Sequence, residues 1–258
     1  MNGAEAIAVV AAGVGAGAVN ALVGSGSLIT FPTLLAVGLP SVTANVSNNI
    51  GLVPGSVAAV HGFRRELAGQ RDRARRLAAG SIGGSLIGAT LLLTLPSSVF
   101  DAVVPVLVIG AALLMAFQPR LSRGVAERRA ARTGGMLVGE HPVGPVPVGL
   151  TFLAGIYGGY FGAAQGIILL TMLAVLVPDD LRRSNALKNL LAGTVNAVAA
   201  VFFIVFADIA WDAVALIALG SAAGGVLGAR IGRRIDPRLL RALVVGLGLF
   251  VGIRLLLT

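Results

Sequence analysis

The stretch Leu22–Pro32, LVGSGSLITFP, decides how this chain folds. It lies inside a long apolar segment, Ala6–Val37, yet places four small residues, Gly24 to Ser27, in the middle of it. Gly and Ser there weaken a helix and free backbone N–H groups that lipid cannot satisfy. The spacing predicts two half-helices, one ending near Val23 and the next starting near Leu28, with the turn close to mid-membrane. A second apolar segment, Val148–Val177, carries a similar interruption in YFGAAQGIILL (Tyr160–Leu170), where Gln165 and Gly166 open a half-helix Ile167–Leu176. A half-helix that starts inside a membrane brings unpaired N–H groups and about half a positive charge to its tip.

Composition supports the membrane setting. The 258 residues are 56% hydrophobic and only 12% charged, with a mean hydropathy of +0.92. Further apolar runs at Ala44–Val60, Ala78–Leu95, Val99–Phe117, Ala186–Ala207, Ala213–Ala229 and Leu239–Leu257 approach the ~20 residues a spanning helix needs. The expected fold class is an all-α integral membrane protein. The absence of cysteine excludes disulfides and thiolate metal sites, and two histidines, His61 and His141, do not make a multi-histidine metal site. No metal or cofactor is expected. The net charge of +9 sits in short arginine-rich segments between spans, where it reads as a topology signal and not as a nucleic-acid surface. The first lysine or arginine is Arg64, so the N-terminal segment lacks the basic region of a signal peptide.

The chain repeats itself. GSIGGSLIGAT (Gly80–Thr90) matches GSAAGGVLGAR (Gly220–Arg230) at an offset of 140, and the same offset pairs Asn45 with Asn185, Asn49 with Asn189 and Ala102 with Ala242. A slip of two residues aligns Gly24 with Gly162 and Thr33 with Thr171. Two homologous halves follow: a first repeat 1–117, a basic cytoplasmic linker 118–147 and a second repeat 148–258. Such repeats are common in secondary transporters. The linker is polar and rich in Pro and Gly, and reads as a loop. Gly80, Gly84 and Gly88, with Gly220, Gly224 and Gly228, are spaced by four and read as faces for close helix packing.

Arginine placement discriminates between two topologies. If each broken segment crosses the membrane, there are eight spans and parallel halves. If each is re-entrant, there are six full spans and inverted halves. The re-entrant reading puts the segments Arg64–Arg76, Arg120–Arg132, Arg182–Arg183 and Arg230–Arg241, 18 of the 19 arginines, on one side. Glu5, Asp101, Asp208 and Asp212 then lie opposite. The crossing reading splits the same arginines 11 against 7. The positive-inside rule prefers inverted halves with both termini outside.

Polar residues follow each break. TANVSNNIG supplies Thr43, Asn45, Ser47, Asn48 and Asn49; RSNALKNLLAG supplies Ser184, Asn185, Lys188 and Asn189. Asn45 and Asn49 share a helix face, as do Asn185 and Asn189. Amide NH₂ groups donate without a fixed charge and suit an oxyanion. Lys188, the only lysine, replaces Asn48 of the first half and makes the site net positive. The plain alternatives are interhelical hydrogen bonds for the asparagines and a side chain reaching the interface for Lys188. Ser25, Gly26, Ser27, Gln165 and Gly166 complete the candidate substrate site, with Asn20 and Asn196 as weaker intramembrane candidates. No Asp or Glu lies deep in a span, and there is no nucleophile–base pair, so the chain does not read as an enzyme or a carboxylate-based pump.

The arrangement resembles the TauE/SafE family of membrane permeases. The residues that carry it are the glycine-rich break, Pro32, VGLP (Val37–Pro40) and the cluster Thr43–Asn49, repeated at Gly155–Leu173 and Ser184–Asn189. The resemblance implies movement of small anions, notably sulfite, sulfonates and related organic acids, across the inner membrane. The first break is less rich in consecutive glycine than is usual in that family and the second is GAAQG, so Ser25, Ser27 and Gln165 stand where selectivity would be set. The expected function is alternating-access transport of a small anion around a midplane site, with anion and lipid as partners and no nucleic acid. A passive anion channel and a non-transporting scaffold or assembly factor are the alternatives. Substrate identity, direction, coupling ion and assembly into a homo-oligomer are left open by the sequence.

Overall fold

The computed structural model describes residues 1–133, 143–177, 179–231 and 237–257. His141 lies outside them. All of the described regular structure is α-helical. In the first half α1 (Gly3–Leu22) and α2 (Ser27–Ala36) form the broken segment, followed by α3 (Ser41–Gly62), α4 (Arg71–Thr94) and α5 (Ser97–Thr133). The second half repeats this order with α6 (Pro145–Tyr160), α7 (Gln165–Leu176), α8 (Leu181–Phe206), α9 (Trp211–Ile231) and α10 (Pro237–Leu257). Both interruptions fall where the small residues place them.

Five of the described helices (α1, α4, the first 24 residues of α5, α8 and α9) are long and apolar enough to cross a membrane. By the length and composition of these helices this is a multi-pass membrane protein. α3 is 22 residues long but is not among the five, because Asn45, Ser47, Asn48 and Asn49 occupy its first half. All four are buried inside the bundle, so the helix carries its polar groups away from lipid.

Small residues fix the packing. A Cβ on Gly80, Gly84 or Gly88 of α4 would collide with the carbonyl oxygens of Val148, Phe152 or Ile156 of α6. A Cβ on Gly220, Gly224 or Gly228 of α9 would press on those of Val10, Val14 or Ala18 of α1. The partners advance together, so each pair runs parallel at backbone contact. α3 also runs parallel to α9, with Gly51 against Ile217, Gly55 against Ser221 and Gly62 against Ala229. α1 and α3 therefore share one direction, and α2 turns the chain back between them. The first helix of each half is clasped by a helix of the other.

The described basic residues of these segments gather at one end. Asp179, before α8, accepts from Arg73 (2.7 Å) and Arg183 (2.9 Å). Arg183 also donates to the Ala68 carbonyl, and Gln70 to the Arg183 carbonyl. His61 and Arg64 share a pocket with Arg230. Arg241 donates to Gln118, and Arg76 to the Val143 carbonyl. Away from this end, Ser41 donates to Asp101, and the Ala210 N–H donates to Ser47.

One element departs from the sequence reading. The apolar run ends at Phe117, but α5 continues to Thr133, so the first half of the linker is helix and not loop. Ala126–Arg132, AERRAAR, consists of good helix formers, and no Gly or Pro interrupts it.

Candidate functional site

The two breaks open with the same turn. Gly24 and Gly162, paired at an offset of 138, have φ of +88° and +79°, a conformation open to glycine at no steric penalty. Val23 and Gly24 both donate to the Val19 carbonyl, and Phe161 and Gly162 both donate to that of Tyr157. This closes the end of the preceding helix and releases the chain into a new direction. The breaks then touch: the Gly166 N–H donates to the Gly24 carbonyl at 3.0 Å, and a Cβ on either glycine would overlap the other's backbone.

The polar cluster of α8 closes the cut end of α1. Lys188 Nζ donates to the Asn20 carbonyl at 3.0 Å. Asn185 and Asn189 donate to the Ala21 carbonyl at 3.3 and 3.1 Å. These carbonyls belong to the last turn of α1, which has no basic residue of its own and carries the negative pole of the helix. Asn45 does the same for the other half, donating to Tyr160, the last residue of α6, at 2.9 Å. Lys188 is fully buried, so its amino group does not reach the interface. Asn48 accepts from Thr30 of α2. Asn49 Oδ1 and Asn185 Oδ1 are buried without partners among the described residues.

The freed donors at the half-helix tips are divided. The Gly26 N–H goes to Asn20 Oδ1 at 2.6 Å, and the Ser25 hydroxyl to Met115 Sδ at 3.1 Å. Ser27, the first residue of α2, makes no donor hydrogen bond from its N–H or hydroxyl among the described residues. Gln165 folds back on α6: its amide donates to the Ala154 carbonyl at 3.2 Å and fills the space left by Gly158.

A cavity lies between the breaks, lined by Asn20, Gly24 and Ser27 from one and Gly162, Gln165 and Gly166 from the other. Ser56 of α3 and Asn189 and Asn196 of α8 complete its polar wall. Of the residues expected from sequence, Ser27, Gln165, Gly166 and Asn189 meet there, together with the weaker candidates Asn20 and Asn196. Asn185 and Lys188 stand behind it, on the end of α1. Ser25, Gly26, Asn45, Asn48 and Asn49 do not line it. Ser56 was missed. Its signal was the offset of 140 that pairs it with Asn196. Aromatic rings brace the second break: Phe31 of α2 meets Phe161 edge-on at 5.3 Å, and Phe100 of α5 meets Tyr160 at 5.6 Å.

The family described as Sulfite exporter TauE/SafE matches residues 9–255. The chain belongs to the TauE/SafE family. Three relatives have kindred names. Probable membrane transporter protein YfcA of Escherichia coli K12 is 26% identical over 231 residues, covering 89% of this chain and 81% of its own. Probable membrane transporter protein ORF9 of a Sinorhizobium species is 26% identical over 244 residues, covering 93% and 88%. A probable membrane transporter protein of Haemophilus influenzae is 28% identical over 227 residues, covering 88% and 85%. No solved structure matches. This TauE/SafE protein thus stands among membrane transporters, over nearly its whole length.

Proposed function

We propose that the protein moves a small anion, of the sulfite, sulfonate or small carboxylate class, across the membrane by alternating access around the cavity between the breaks. The observation that carries this reading is the meeting of Gly24 and Gly166, which brings two interrupted segments from different halves to one polar cavity. Unwound segments in the middle of a membrane are tolerated only where protein or a polar cavity satisfies them. Here they bring two helix N-termini together, each favouring negative charge. Ser27 and Asn196 supply donors, Asn189 and Gln165 fix orientation, and Lys188, behind Asn20, biases the pocket toward anions.

The halves, 1–117 and 148–258, are the moving units, inverted in the membrane with the basic end in the cytoplasm. The gathering of arginine segments at one end supports this, as does the shared direction of α1 and α3. The cavity, about 20 Å³, has room for no more than a single water, so substrate requires it to widen. Relative motion of the two halves would do this.

The test is flux of sulfite, sulfate, taurine and acetate from proteoliposomes holding the purified protein. Saturable flux of at least one anion is expected. Asn189→Leu is expected to remain monodisperse in detergent and to lose that flux at least tenfold. No flux above empty liposomes for any of them would overturn the reading.

A further inference from the structure

A second void, about 540 Å³, opens between the loop after α3, the first turns of α4 and the side of α8. Arg64, Arg71 and Arg75 stand at its mouth and Ala74, Ala78, Leu190 and Thr194 form its depth. Arg71 and Arg75 make no ion pair or hydrogen bond among the described residues. The groove belongs to the basic end. Its inner wall is the same stretch of α8 that faces the inter-break cavity: Leu190 and Thr194 line the groove, while Asn189, Ala192 and Asn196 line the cavity. At about 100° per residue these are two faces of one helix, and Gly193 points between them. A Cβ at Gly193 would stand 3.3 Å from the Ser56 Cβ. α3 and α8, one from each half, thus meet between the two faces of α8 that line the voids.

Resting on the transport reading above, we propose that this groove is the cytoplasmic vestibule through which the anion reaches the cavity, and that the Ser56–Gly193 seam is the barrier between them. Arginines without acidic partners raise the local concentration of anions at a cleft. They do so at the membrane face where the substrate arrives, whereas the cavity itself, at about 20 Å³, is too small to hold it without widening. The seam is glycine against serine, so it closes without interlocking side chains, and a small separation of the halves would open it.

The chain has no cysteine, which makes a cross-link decisive. Disulfides join Cβ atoms about 3.5–4.5 Å apart, within a few tenths of an ångström of the seam. In proteoliposomes, Ser56→Cys/Gly193→Cys is expected to carry sulfite when reduced, to lose at least nine-tenths of that flux when oxidised, and to regain it on re-reduction. Ser56→Cys and Gly193→Cys alone are expected to be insensitive to oxidant. Undiminished flux through the oxidised, mass-confirmed disulfide would overturn the seam. Absence of flux in the parent protein would overturn the transport reading first. Arg71→Gln/Arg75→Gln separates the vestibule from a structural role. It is expected to raise the half-saturating sulfite concentration about tenfold from the basic side only, to weaken its salt dependence, and to leave the maximal rate and the melting temperature unchanged. An unchanged half-saturation would remove the groove from the path.

Discussion

Lys188 is fully buried and has one hydrogen-bond acceptor among the described residues, the Asn20 carbonyl. Withdrawing an ammonium from water costs several kcal/mol after relaxation. A single charge-assisted hydrogen bond returns about 1.5–3 kcal/mol, and the negative pole of α1 up to ~2. The balance is at best even, so stability does not account for the residue. Lys188→Met is therefore expected to leave the melting temperature in detergent within a few degrees of the parent, while sulfite flux falls at least tenfold. A variant that transports normally would show the charge to be dispensable. Gly24 has the opposite character. Its φ of +88° and its overlap with Gly166 leave no room for a side chain, so Gly24→Ala is expected to cost about 2 kcal/mol or more, read as a drop in melting temperature.

Neighbouring glycines on α4 do different work. Gly84 faces the Phe152 backbone, while a Cβ on Gly83 would meet only the Phe152 ring, at 3.5 Å. Gly84→Ala forces two helices apart and is expected to destabilise by roughly 2–4 kcal/mol. Gly83→Ala is expected to be neutral or to stabilise by up to about 1 kcal/mol through helix propensity. Thermal unfolding of the two variants side by side checks this. If both behaved alike, the close approach of α4 and α6 would be in doubt. A similar contrast holds between two neighbours just before α8. Asp179 holds both Arg73, 8% exposed, and Arg183. Asp179→Ala strands a buried guanidinium and is expected to cost about 3 kcal/mol, whereas Asp180→Ala removes an N-cap to Arg182 worth about 1.

At the scale of the whole molecule the first helix of each half packs on a helix of the other, and the proposed orientation follows from which segments share an end. Single cysteines at Arg65 and Arg182 are expected to react with a membrane-impermeant maleimide only from the cytoplasmic face. Cysteines at Asp101 and Asp212 are expected to react only from the outside. Labelling of Arg65→Cys and Arg182→Cys from opposite faces would sink the inverted arrangement and the two-tipped site with it. The oxidised cross-link between Ser56 and Gly193 acts at this same scale, since it joins one half to the other.

Much of this was legible in the sequence because its causes are local. Gly and Ser cannot sustain a helix against lipid, so LVGSGS and FGAAQG marked both breaks within a residue or two. A four-residue glycine period can serve only a helix pressed on backbone, so the stripes on α4 and α9 announced close packing. The repeat offset and the arginine pattern carried the order of elements. Long-range geometry was not legible. Asn185, Lys188 and Asn189 could equally have faced substrate, lipid or another helix, and only the fold sets them on the cut end of α1. Nothing in either sequence half says that Gly24 will touch Gly166, or that Ser56 will lie against Gly193. Those pairs are 142 and 137 residues apart in the chain. They meet because each half buries its first helix against the other, a choice made by packing across the whole bundle.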